Sequence, residues 1–240
     1  MTDNTTIYWA PCFSNKENMD WNILYYNPEN IMDRLNKEKN ILKEDSSIFQ
    51  CPSVTSLLKN TFALKNSLES SFSIVDNEVM SLSKTKVGGE IIREGSLKNQ
   101  ILFNYNLKWI FFAESDDMNM RLTSPFFSQT QHLKYGSIVP GQINIGMWFR
   151  TINLEYNLWP GIKTFKVEED EDLAYVSFDS QKKINLVRFE MNDKLKSYSN
   201  STSNSSSWEP KVPLLKRYQR FKDTNMKELI LKEIKNNIVN

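Results

Sequence analysis

The sequence predicts a mainly β protein: an antiparallel sandwich or jelly-roll-like core, with N-terminal helical segments and a C-terminal amphipathic helix. Three observations carry that expectation. Between Ile138 and Phe178 apolar and polar residues alternate, pausing only at Pro-Gly pairs and one acidic run. Around that stretch, short strands are predicted at 121–126, 142–149, 152–159, 162–168, 173–179 and 183–190, joined by turns with no helical spacing between them. Beyond Pro213, apolar residues fall at Leu215, Tyr218, Phe221, Met226, Leu229, Ile230 and Ile234, the spacing of an amphipathic helix, broken near Asp223-Thr224.

In chain order, 5–13 and Trp21–Tyr26 read as short strands, the second stopped by Asn27-Pro28. From Pro28 to Lys43 the spacing of Ile31, Met32, Leu35 and Leu42 turns helical. A short helix is predicted over Val54–Leu58, capped by Ser53. Phe62–Lys65 and Ser70–Val75 read as extended, and Val79–Arg93, with Gly88-Gly89 inside it, as a hairpin or surface excursion. Ile101–Ala113 alternates over its first half and should be wet on one face. Glu114–Asn119 reads as a loop. Tyr198–Ser207 is polar and low in complexity, so a mobile loop is expected there. The resulting division is one β domain over 1–198, a flexible loop over 199–210 and a helical segment over 211–240.

Composition excludes more than it suggests. The chain of 240 residues carries a net charge of +1, which gives no general attraction to nucleic acid or membrane. Two cysteines, Cys12 and Cys51, and one histidine, His132, do not make a disulfide framework or a Cys/His metal site, so no cofactor is expected. The N-terminus lacks a basic region followed by an apolar one, and the longest apolar run, Trp109–Ala113, is too short to span a bilayer. A soluble protein of the cytoplasm, or part of an assembly built inside a cell, is the expectation.

Few residues invite chemistry. Glu114, Asp116, Asp117 and Asn119 could offer oxygen ligands to a cation, but the loop lacks the spacing and glycine of an EF-hand, and a solvated turn is the plainer reading. The run Glu168–Asp172 reads as a hairpin turn that solubilises its surroundings. Trp148 and Arg150 should share one face of a strand, where an indole could stack on a ring and a guanidinium could hold an anion, with Glu155 nearby. The alternative is that Trp148 closes the core edge and Arg150 pairs with Glu155. His132, in a polar segment, reads as a surface residue. No P-loop, GxGxxG, HExxH or GxSxG pattern occurs. Trp148, Arg150, Glu155, Asp116 and Asp117 are thus the candidate ligand-binding residues, and no catalytic residue is assigned.

Two family resemblances add to this reading. Pro140-Gly141-Gln142-Ile143-Asn144-Ile145-Gly146-Met147-Trp148-Phe149-Arg150, followed by an acidic turn and Leu173-Ala174-Tyr175-Val176-Ser177-Phe178, resembles a family of uncharacterised proteins of marine tailed phages, particularly cyanophages. Cys51-Pro52-Ser53-Val54 and Lys59-Asn60-Thr61-Phe62 resemble segments of the same family, so that about residues 9–190 are covered. That family has Asp where Asn144 stands. The resemblance implies a phage or phage-related protein and no activity. Gly141, Ile143, Asn144, Phe149-Arg150 and Asn153 also echo, loosely, the motif of trimeric dUTPases and dCTP deaminases. Asn144 replaces the water-activating carboxylate of those enzymes, and an amide is no general base, so any kinship implied is of fold. The expected function is a non-enzymatic phage-type protein that binds a host or virion protein or forms an assembly; the alternative is a nucleotide- or carbohydrate-binding sandwich, with or without hydrolase activity.

Overall fold

The computed structural model of the protein describes residues 4–12, 25–42, 51–75, 78–82, 88–94, 101–203 and 214–239. The N-terminal part contributes β1 (Thr5–Pro11), β2 (Glu29–Asn30), α1 (Ile31–Leu42), α2 (Pro52–Leu58), β3 (Thr61–Lys65), β4 (Ser70–Val75), β5 (Glu78–Ser81) and β6 (Gly89–Glu94). The middle contributes β7 (Ile101–Ala113), β8 (Asn119–Thr123), β9 (Gly136–Ile138), β10 (Gly141–Asn144), β11 (Thr151–Leu158), β12 (Thr164–Val167), β13 (Asp172–Phe178) and β14 (Ile184–Arg188). Three helices follow: α3 (Asp193–Ser203), α4 (Leu214–Lys222) and α5 (Met226–Asn236). The fold is the predicted mainly β sandwich with flanking helices.

One sheet runs β14-β1-β7-β11-β9, with β6 added to the first half of β7. The second runs β10-β8-β13-β3-β2, and a small third one β12-β4-β5. All described pairings are antiparallel except β1 with β14. Alternation along the strands sorts the side chains into layers. Ile7, Trp9, Trp109 and Phe111 of the first sheet meet Phe62, Leu64, Leu122 and Val176 of the second in one interior. The opposite side chains of the first sheet, Tyr8, Ala10, Ile110 and Phe112, pack under Leu195, Phe221, Ile230 and Ile234 of α3–α5. Those of the second, Ala63 and Tyr175, pack under Ile31, Leu35 and Leu58 of α1 and α2. The order is therefore helix, sheet, sheet, helix, and each helical layer exists because a sheet would otherwise leave aromatic and aliphatic side chains in water.

Four local expectations change. The strand placed over 142–149 stops at Asn144, because the Asn144 side chain takes up the backbone N–H groups of Gly146 and Met147 and closes a turn. The helix placed over Val54–Leu58 begins at Pro52, whose fixed φ suits a first turn, with Cys51 and not Ser53 at the cap. The polar run from Tyr198 is helical as far as Ser203, with Ser199 only 4% exposed; the remainder of that run lies outside the described residues. Glu168–Asp172 is no hairpin turn: it carries the chain from β12 in the small sheet to β13 in the second, with Asp170 at φ 62°. Of the strand predicted over Trp21–Tyr26, the part to residue 24 lies outside the described residues.

Candidate functional site

The five residues singled out from sequence do not converge. Asp116 and Asp117 lie in the loop that joins β7 to β8, and there Asp116 forms an ion pair with Lys227 of α5. Glu114 accepts a hydrogen bond from the Tyr8 hydroxyl at 3.0 Å and pairs with Lys235 at 2.8 Å. Lys235 first, and then Tyr8, holds the Glu114 carboxyl below its ordinary value, while burial and that carboxylate push the Tyr8 hydroxyl up to about 12. Asn144 completes the join by donating to the Asp116 carbonyl at 2.7 Å. Gly146 is required at this crossing, since a Cβ there would lie 1.8 Å from the Ser115 carbonyl oxygen. The acidic loop is a latch for the C-terminal helix.

Trp148 lies beyond the end of β10 and is 3% exposed. Its ring stands 4.5 Å from that of Tyr218 on α4, and the Arg150 guanidinium sits 5.9 Å from it on an exposed position. Burial raises the Tyr218 hydroxyl and Arg150 offsets part of that rise. Trp148 therefore spends its face on α4, the reading in which it closes the core edge.

Glu155 belongs to a different surface. Over the first half of β7 the outer side of the first sheet carries Leu102, Asn104, Asn106 and Lys108, three of them polar. Here Glu155 of β11 lies directly opposite Asn104 of β7, and Asn104 directly opposite Glu90 of β6. Asn104 is 2% exposed; its amide Nδ2 donates to Glu90 at 2.9 Å and to Asn106 at 3.1 Å. Asn157 stands two residues along from Glu155 on the same side, half-buried. The Oδ1 atoms of both Asn104 and Asn157 are shut off from solvent, with no hydrogen-bond partner among the described residues. Buried acceptors are ordinarily satisfied, so these two mark the surface as unusual. Trp159, just past the end of β11, is 44% exposed and donates its indole N–H to the Leu133 carbonyl at 3.2 Å.

Two further polar groups escaped the reading of the sequence. His132, expected on the surface, is fully buried in a 3₁₀ turn (Gln131–Lys134), edge-on to Tyr156 at 5.4 Å. Its Nδ1 lies 3.0 Å from Glu171, although the approach is not aligned for a hydrogen bond and neither ring nitrogen has an aligned partner among the described residues. Burial alone would raise the Glu171 carboxyl, but the His132 ring and the backbone N–H groups of Glu168 and His132 outweigh it and hold the carboxyl low. Asp172, 2% exposed, receives a forked pair of hydrogen bonds from Arg34 of α1 at 3.0 and 2.7 Å. Two members of the supposedly solubilising acidic run are thus internal ties. Their one sequence signal is position, between two strands that belong to different sheets.

Among the described residues no group of three or more His, Cys, Asp and Glu could hold a metal ion, and no helix is long and apolar enough to cross a membrane. Compared with protein-family models, with curated proteins and with solved structures, the chain matches none.

Proposed function

We propose that the chain is a non-enzymatic protein of phage type that acts by association, in an assembly built from its own copies inside the host cell or carried in the virion. The observation that supports this reading is an exposed apolar face on the β4–β5 pair. Ser73 lies opposite Met80 and Val75 opposite Glu78, which brings Val75, Met80 and Leu82 to one side of the ladder. They are 47%, 55% and 61% exposed, while Phe72 and Ile74 of the same strand fill the interior. Three large apolar side chains in water on one small sheet are costly unless another surface covers them. A net charge of +1 puts little repulsion between copies, so a second copy is the occupant proposed.

The resemblance to phage proteins supplies the setting, and a host or virion protein on the same face is the other form of this function. Sedimentation velocity over a concentration series tests it. Wild type is expected to associate reversibly, and the Met80→Lys, Leu82→Lys double variant to remain monomeric with an unchanged circular dichroism spectrum. A wild type that sediments as a monomer throughout overturns self-assembly.

A further inference from the structure

We propose that α4, with Arg150 beside it, forms a basic face that holds double-stranded DNA by its phosphates without reading the sequence. This goes beyond association through β4–β5 and does not depend on it. The net charge of +1 is the sum of unequal parts. From Asp193 onward the chain has ten Lys and Arg against five Asp and Glu, which puts +5 there and −4 on the rest. The excess is concentrated on α4, whose nine residues include Lys216, Arg217, Arg220 and Lys222 and no carboxylate. Lys216, Arg220 and Lys222 are exposed, and so is Arg150, whose guanidinium stands over the Trp148 ring that Tyr218 of α4 covers. Lysines of the neighbouring helices are matched: Lys194 with Glu233, Lys227 with Asp116 and Lys235 with Glu114. Arg150, Lys216 and Lys222 have no carboxylate partner among the described residues, and Asp223, just past α4, accepts from Gln219 at 2.8 Å. Lys216 and Arg220 stand one turn apart on the outward side, a like-charge pair that works against the helix until an anion lies across it.

The composition of the face selects the occupant. Its exposed residues are Lys216, Gln219, Arg220 and Lys222, while the aromatic side chains of the helix are turned inward, Phe221 to Phe112 and Tyr218 to Trp148. An anionic membrane needs an apolar face to insert, and a protein interface needs an aromatic or aliphatic anchor to bury. The exposed residues of α4 offer neither. Single-stranded nucleic acid calls for open rings on which bases stack, and these rings are already engaged. A duplex asks less, since its phosphates need only cations on a surface. Duplex DNA carries one negative charge per about 1.7 Å of its axis, so a nine-residue helix, about 13 Å long, spans several of them.

The test is fluorescence anisotropy on the full chain with two labelled DNA duplexes of unrelated sequence. Labelled polyglutamate and vesicles of phosphatidylserine and phosphatidylcholine are run beside them. Both duplexes are expected to bind alike at low salt, with the logarithm of the affinity falling against that of the salt concentration at a slope of about −3, as three or four phosphate contacts give. The Lys216→Ala, Lys222→Ala double variant should bind about tenfold or more weakly at low salt and flatten that slope by about 2. Lys163→Ala, which removes a charge from an exposed position outside the helical layer, should change neither. Arg150→Ala, which flattens the slope by about 1, covers the case in which the double variant loses its helix. Failure of both duplexes to bind at low salt overturns the proposal. So does an affinity unchanged in the double variant and in Arg150→Ala, or polyglutamate or the vesicles bound as tightly as DNA, which would make the face a site for an acidic protein or a membrane.

Discussion

The outer side of β7 is two surfaces on one strand. Over its second half the outward residues are Ile110 and Phe112, and the α3–α5 layer covers them. Over its first half they are Leu102, Asn104, Asn106 and Lys108, and their neighbours across the sheet include Asn157, Glu90, Glu155 and Asn153. The change coincides with an irregularity in the ladder with β11, where Asn153 faces Lys108 and the next residue, Leu154, faces Tyr105. A bulge of this kind raises the local twist and bends the strand. It therefore lets one strand present an apolar surface to a helical layer and a polar surface elsewhere, while Tyr105, Trp109 and Phe111 keep filling the same interior. The two halves differ in what they need: burial at one end, hydrogen-bond partners at the other.

The largest test of that contrast is to truncate one residue on each half. Phe112 is fully buried, 5.2 Å from the ring of Phe149 and 6.3 Å from that of Phe221. Phe112→Ala should cost about 3–5 kcal/mol in urea unfolding, because it leaves a cavity beneath the helical layer. Asn104→Leu, at the same depth of burial, should change stability by less than about 1 kcal/mol, since it removes an unpaired acceptor together with two hydrogen bonds to side chains. Equal losses at the two positions would erase the distinction.

The apolar half was legible in the sequence and the polar half only partly so. Phe221 and Ile230 fall on the apolar stripe of a C-terminal helix by spacing alone, and Ile110 and Phe112 lie within the longest apolar run of the chain. The polar alternation at Asn104, Asn106 and Lys108 predicted one wet face, yet Asn104 turned out to be buried, which depends on what β6 and β11 place beside it. Trp148–Arg150 looked like a site because the two residues are close in sequence. The helix that occupies the indole comes from Tyr218, about seventy residues later, and no local pattern could show that. His132 and Asp172 failed in the same way: a buried histidine or aspartate is made tolerable by a distant partner, here Glu171 or Arg34, and partners across sheets leave no period in the chain.

A smaller effect is expected where the acidic loop meets the covered half. Asn144 uses its whole amide there, accepting from Gly146 and Met147 at 3.0 Å each and donating to Asp116 at 2.7 Å. Asn144→Asp keeps the two acceptor contacts and sets a carboxylate against the Asp116 carbonyl, at a cost of about 1–3 kcal/mol in urea unfolding. An amide is thus what these three contacts use, since it accepts and donates at once. If Asn144→Asp were as stable as wild type, that reason would fail.

The smallest effect belongs to Glu114, at the same rim. Its carboxyl is held below the ordinary value of 4.5 by Lys235 and Tyr8. A carboxyl with a lowered folded value stabilises the fold above its unfolded value and loses that contribution as pH falls through the folded one. The pair with Lys235 is about half exposed on both sides, so solvent screens it, and at most about 0.5 kcal/mol is expected. Glu114→Gln should then melt about 1–2 °C below wild type at neutral pH. Because the contribution disappears on protonation, the two melting curves should converge as pH drops below about 4. A gap that persists in acid for Glu114→Gln would mean that the charge pair with Lys235 of α5 is not the source of the difference.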